Sequence, residues 1–104
     1  MLNKEPHGLV SVIIPCYNHG NFLPTAIQSV LDQNYSEIEI IVIDDGSIDN
    51  TKDVAQNYKE VIYKYQKNKG LSAARNTGIK ISNGAFLLFL DADDWLLPEV
   101  IELN

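Results

Sequence analysis

The sequence predicts an α/β fold on a mostly parallel sheet, with helices on both faces. Two observations carry that prediction. Short apolar runs of strand composition alternate with segments of helical periodicity, in the order strand, helix, strand, helix, strand, helix, strand. Three of the four apolar runs are nearly continuous in apolar character, as expected for strands covered on both faces.

The elements follow in order. The first strand is "LVSVII" at 9–14, rich in Val and Ile. In "NFLPTAIQSVLDQN" at 21–34, Leu23, Ala26, Ile27, Val30 and Leu31 make one helical face. Pro24 fits a first-turn position, where its missing N–H costs nothing. The second strand is "IEIIVI" at 38–43. In "DNTKDVAQNYKE" at 49–60, Val54, Ala55 and Tyr58 form a second stripe, with Asp49 or Asn50 as its cap. The third strand, "VIYKY" at 61–65, alternates more and suits a sheet edge. In "GLSAARNTGIKIS" at 70–82 the stripe is Leu71, Ala74, Gly78 and Ile81. Gly78 weakens that helix but lets it lie close to a sheet. The fourth strand is "AFLLFL" at 85–90, and "LLPEVIELN" at 96–104 reads as the start of another helix. There is no repeat, low-complexity segment or linker, so residues 1–104 read as one domain, or a subdomain of a longer one.

Composition narrows the function. A hydrophobic fraction of 45% supports a packed core. A formal charge of −6 argues against a nucleic-acid binder running on phosphate attraction. Of the 14 acids, seven (Asp44, Asp45, Asp49, Asp53, Asp91, Asp93 and Asp94) lie in or beside two short segments. The single cysteine, Cys16, allows no intramolecular disulfide, and its apolar neighbours predict a buried, inert thiol. The first twelve residues lack the apolar core of a signal peptide, and no apolar run approaches a membrane span. A cytoplasmic location is expected, with the inner face of the membrane as a second option.

In open α/β sheets ligands bind outside the carboxyl ends of the strands. "PCYNHGN" follows the first strand, "DDGSIDNT" the second and "DADDW" the fourth. If those strands are parallel neighbours, the three loops open on one edge. Asp91 and Asp93, one residue apart just past a strand, suit a hard divalent cation, Mg2+ or Mn2+, shared with substrate phosphates. The alternative is a solvated turn rich in Asp, though Trp95 and Leu96 suit such a turn poorly. Asp44 or Asp45 can accept from a base N–H or a ribose hydroxyl; equally, "DDGS" can be a turn that caps the next helix. Arg75, the only arginine, offers a planar fork of donors for a phosphate or a base edge, or is a plain exposed helix residue. Tyr17 can stack on a base or simply pack. His19 has no partner at metal spacing. Neither GxGxxG nor GxxxxGK[ST] occurs, which argues against dinucleotide oxidoreductases and P-loop kinases.

In order, "VSVIIPCYN" (10–18), "IEIIVIDDGSIDNT" (38–51), "NKGLSAARNTGI" (68–79) and "FLLFLDADDWLLP" (86–98) resemble the N-terminal half of family 2 glycosyltransferases. These are inverting enzymes of the GT-A fold that use nucleotide-diphosphate sugars. The resemblance covers residues 9–98 and implies a Rossmann-like βαβαβαβ order. It implies that Pro15, Tyr17 and Asn18 line the nucleotide pocket. It implies that Asp45, with Asp44, contacts the base, most often uracil, and that Arg75 lies near the base or the phosphates. "DAD" at 91–93 matches the family's DxD motif: Asp91 would reach the ribose or the metal, Asp93 would hold Mg2+ or Mn2+, and Asp94 would support either. A UDP-sugar is the donor this implies, with a glycan or lipid acceptor left open. The family's acceptor-binding half and its catalytic base follow the DxD, so no residue here matches that base. The chain is expected to be a donor-binding half, inactive alone, whose uncovered apolar surface promotes self-association.

Three other readings compete. A receiver-type phosphoacceptor needs an Asp at the end of the third strand, where this chain has "YKYQKNKG". A phosphatase of the haloacid dehalogenase type places its DxD early, with Thr where this chain has Trp95. A non-catalytic α/β nucleotide-binding or interaction module is the third.

Overall fold

A computed structural model describes residues 8–98, 100 and 101. Among these residues four strands, β1 (Val10–Cys16), β2 (Ile38–Asp45), β3 (Val61–Gln66) and β4 (Phe86–Phe89), alternate with three helices, α1 (Leu23–Leu31), α2 (Thr51–Gln56) and α3 (Leu71–Ile81). Every strand pair is parallel and the sheet order is β3-β2-β1-β4. Val12 is level with Ile40 on one side and Leu88 on the other. The chain therefore steps outward from β1 to β2 to β3, then returns to the far side of β1. That reversal makes a topological switch point between β1 and β4.

Side-chain alternation along β1 sorts the core into two layers. Val10, Val12, Ile14 and Cys16 pack with Ile40 and Val42 against Leu23, Ala26, Ile27 and Val30 of α1 and Ala55 of α2. Ile13, Ile41 and Ile43 face the other way, against Ala74 of α3, with Ile81 alongside. Right-handed crossovers require this split, because the connection through α3 runs opposite to the first two. α1 opens with proline in its first turn. The N-cap of α2 is Asn50, which makes no side-chain cap bond; Asp49, one residue earlier, takes the first helical N–H instead, its Oδ1 accepting from the Thr51 N–H at 3.0 Å. Gly78 backs directly onto Ile13, and a Cβ there would overlap the Ile13 side chain. The α3–β4 joint is closed by Glu39, whose Oε2 accepts from Ser11 Oγ and from the Asn83 N–H, each at 2.6 Å. Burial opposes ionisation of Glu39, but these donors prevail and hold its carboxyl below the usual range.

Three expectations need correction. β3 lies at an edge as its alternation suggests, but so does β4. Phe86, Leu87 and Phe89 are exposed and only Leu88 is partly buried against the α1 layer. An apolar run marks a strand without revealing whether a neighbour covers it. Leu71, read as part of the α3 core stripe, is half exposed because it begins the helix beyond the sheet's edge. The helix start expected at 96–104 falls partly on residues 99 and 102–104, outside the described residues; Leu96 to Pro98 are not helical.

Candidate functional site

The tips of β1, β2 and β4 and the first turns of α3 enclose one cavity of about 420 Å³. Pro15, Tyr17, Asp45, Gly70, Asp91 and Asp93 are among its walls. Residues of one parity in β1 address β4: the Leu90 N–H donates to Ile13 O at 3.0 Å. Pro15 has that same parity, but the β1–β4 pairing ends at Ile13 and Phe89. Its missing N–H therefore costs the sheet nothing. The two strands part there, and the gap is the cleft. By strand spacing, the β2 and β4 tips stand about 10 Å apart across β1.

Asp45 closes the β2 end and is buried. Its Oδ1 accepts from Gln66 Nε2 and the Lys69 N–H, and its Oδ2 from the Gly70 N–H, each at 2.9 Å. Asn68 Nδ2 adds a longer bond of 3.4 Å to Oδ2. Burial pushes this carboxyl up, but the Gln66, Lys69 and Gly70 bonds and the Lys69 charge outweigh it and hold the group below the usual carboxylate range. Gly70, at φ +99°, begins α3 without a side-chain cap. Asp45 supplies that anion from across the sheet, at the positive end of the helix. Gly46, at φ +85°, lets the chain turn beneath this loop; a Cβ there would fall 2.7 Å from Asn68 N.

Asp44 turns away from this cavity. It is buried, accepts from Tyr63 Oη at 2.6 Å and the Ser47 N–H at 2.9 Å, and lines a second cavity with Ile48, Lys52 and Tyr65. Asn18 is likewise spent on structure, at φ +56°. Its N–H donates to Ser47 Oγ and its Oδ1 accepts from the Ile48 N–H, each at 2.8 Å. The Gly20 N–H donates to Asp49 Oδ2 at 2.9 Å. These bonds staple the β1 loop to the β2 loop, so neither Asp44 nor Asn18 is on the cavity wall.

The acidic turn follows β4. The Asp94 N–H donates to Asp91 O at 2.9 Å, closing a turn that leaves Asp91 and Asp93 exposed at the cavity. Asp94 is exposed and off the cavity wall. Among the described residues no three acidic, His or Cys side chains gather as a cation cage, and Asp94, read as a support for either role, does not join Asp91 and Asp93 on the wall. A two-carboxylate site open to a ligand's own oxygens still fits Asp91 and Asp93. Arg75 stands just outside the cavity wall, its Nη2 3.8 Å from Asp91 Oδ1. Behind the turn, the Leu96 N–H donates to Ser29 Oγ at 2.9 Å, and Gln33 bonds Leu97 O and the Ile101 N–H at 2.9 and 3.0 Å. The turn is thus held between β4 and α1.

Tyr17 and Pro15 line the cavity, and Tyr17 is half exposed. Cys16 is buried, as expected; burial pushes its thiol up, against a 3.7 Å contact with Thr51 Oγ1. Sequence reading missed His19, Asn68, Gly70 and Leu71 as cavity walls. The available signal was the "NKG" turn, which leaves a third strand at the same sheet edge.

Residues 11–103 match Glycosyl transferase family 2. The chain belongs to this family. It is 39% identical over 97 residues to glycosyltransferase GlyA of Streptococcus pneumoniae serotype 4, covering 89% of this chain and 14% of that protein. It is 42% identical over 97 residues to the uncharacterized glycosyltransferase YibD of Escherichia coli K12, covering 89% of this chain and 28% of that protein. In three dimensions it is similar to S. aureus TarS, with a TM-score of 0.85 and 30% identity over 90% of this chain and 18% of that one. It is also similar to TarS 1-349 in complex with UDP-GlcNAc, with a TM-score of 0.76 and 32% identity over 84% of this chain and 27% of that one. This glycosyl transferase family 2 chain therefore spans 14% and 28% of the two curated relatives' lengths. Among the described residues no helix is long and apolar enough to cross a membrane.

Proposed function

We propose that this chain is the donor-binding half of a glycosyltransferase that moves a sugar from a nucleotide diphosphate to an acceptor hydroxyl with inversion. One observation carries the reading: Asp45 and the Asp91–Asp93 turn, 46 residues apart at their nearest (91 minus 45), line one cavity at a sheet switch point. A nucleoside has walls of Tyr17, Asp45 and Gly70 at one end. A diphosphate has Asp91 and Asp93 at the other. Asp45 shapes the base wall by fixing the 66–70 loop. TarS, the relative bound to UDP-GlcNAc, supports a UDP-sugar as donor.

Asp93 and Asp91 would hold Mg2+ or Mn2+, and that ion would offset charge on the departing diphosphate. Inverting transfer also needs a carboxylate to deprotonate the acceptor. None of the residues assigned here has that role, so the isolated 104-residue chain binds donor without transferring sugar. Transfer by it to any glycan or lipid acceptor would refute this. The proposed setting is envelope polysaccharide synthesis at the cytoplasmic side of a membrane. We further propose that isolated chains self-associate through the exposed β4 edge.

Titration calorimetry with UDP tests the binding assignment. Affinity should rise with Mn2+ and fall about tenfold or more, ~1.4 kcal/mol, in Asp93→Ala. Lys67→Ala, away from the cavity wall, should bind as wild type. Equal binding by both variants would count against the assignment, and metal-independent binding would favour the non-catalytic module.

A further inference from the structure

We infer that Phe89 is a positioning residue: its ring is a platform that holds the Arg75 guanidinium at the diphosphate end of the cavity. The inference rests on the donor reading above and adds a residue to it. Arg75 rises from the second turn of α3, and its Cζ lies 5.8 Å from the centroid of the Phe89 ring. A guanidinium at that range is attracted to the ring face. The other restraint is weak. Asp91 is 3.8 Å away, too far for a hydrogen bond, and both side chains are well exposed, which leaves such a pair little net energy.

The guanidinium's donors are not committed. Arg75 Nε is buried without a partner. No described side chain bonds its terminal nitrogens more tightly than Asp91 does. The four N–H groups on its terminal nitrogens, held on a planar fork by a ring that takes none of them, suit phosphate oxygens. Position selects the diphosphate over the base. Phe89 and Asp91 both belong to the β4 tip, whereas Asp45 stands about 10 Å off at the β2 tip, two strand spacings away. Phe89 is exposed enough to be changed without opening the core. Without its platform the arginine keeps its charge but loses its aim.

The test is a mutant cycle on the full chain with Mn2+, with UDP and uridine as probes. Phe89→Leu should weaken UDP about two- to fivefold, the factor carried by a cation–π contact at an exposed site. Uridine should be unaffected, and Phe89→Trp should restore UDP affinity. In an Arg75→Ala background Phe89→Leu should add nothing. An equal loss for uridine, or the same loss without Arg75, overturns the platform role. A ligand-free reading keeps the two proposals separable: the Arg75 Nε–H resonance should carry a ring-current shift that Phe89→Leu removes. If the shift is present and wild type binds no UDP, the donor reading fails while the platform stands. If the shift is absent, the platform fails whatever binds.

Discussion

Above about pH 4 the Asp45 carboxylate is ionised and collects donors from the end of β3 and the entry to α3. Its folded-state pKa lies below the unfolded value of about 3.9, so the stability it contributes is complete above that value. That contribution is lost as pH falls through the depressed folded value. Asp45→Asn replaces one acceptor by a donor facing N–H groups. It should cost about 1–3 kcal/mol at pH 7 by urea unfolding. Its stability should also fall less steeply than wild type's as pH drops below about 4; parallel slopes would show that Asp45 is not the acid-sensitive group. Cys16 gives a second residue-scale expectation. Buried and with its thiol pushed up, it should resist iodoacetamide at pH 8 in the native state and react fully in urea. Rapid native alkylation would mean that the β1 tip opens readily.

The elements place these residues through close contacts of specific kinds. α3 can lie against β1 only because position 78 lacks a Cβ. Alanine there should gain up to about 1 kcal/mol of helix propensity, yet it meets Ile13 in the β1 layer. We expect Gly78→Ala to destabilise, by about 1–3 kcal/mol as overpacked cores do. Ile13→Ala in the same chain should cost less than it does in wild type, because the two changes relieve one clash. Simple additivity in thermal unfolding would place the helix farther from the sheet than described. The acidic turn depends on packing in the same way. It is held by β4 on one side, and by Ser29 and Gln33 of the α1 region on the other.

For the whole molecule, the order β3-β2-β1-β4 creates the cleft and also leaves β4 at an edge with Phe86, Leu87 and Phe89 exposed. An uncharged apolar edge strand offers unpaired backbone groups and apolar surface together. The isolated chain should therefore show concentration-dependent self-association in sedimentation, reduced by Leu87→Lys. A monomer at all concentrations would contradict the proposed edge contact.

Strand runs, helical stripes and their alternation were legible in the sequence, and with them the parallel sheet and the three loops at its carboxyl edge. That information is local: side-chain periodicity and branching set strand or helix whatever lies nearby. The four ordered motifs also made the family legible. Only the tertiary structure separated Asp45, which lines the cavity, from its neighbour Asp44, which bonds Tyr63 on the other side. Successive strand residues point to opposite faces, so one residue of register decides the role, and both aspartates read alike in the chain. It likewise spent Asn18 on the loop staple, left Asp94 off the cavity wall, exposed β4 and set Phe89 beneath Arg75. Each of those outcomes depends on which strand neighbours which, and that is settled by packing between segments distant in sequence.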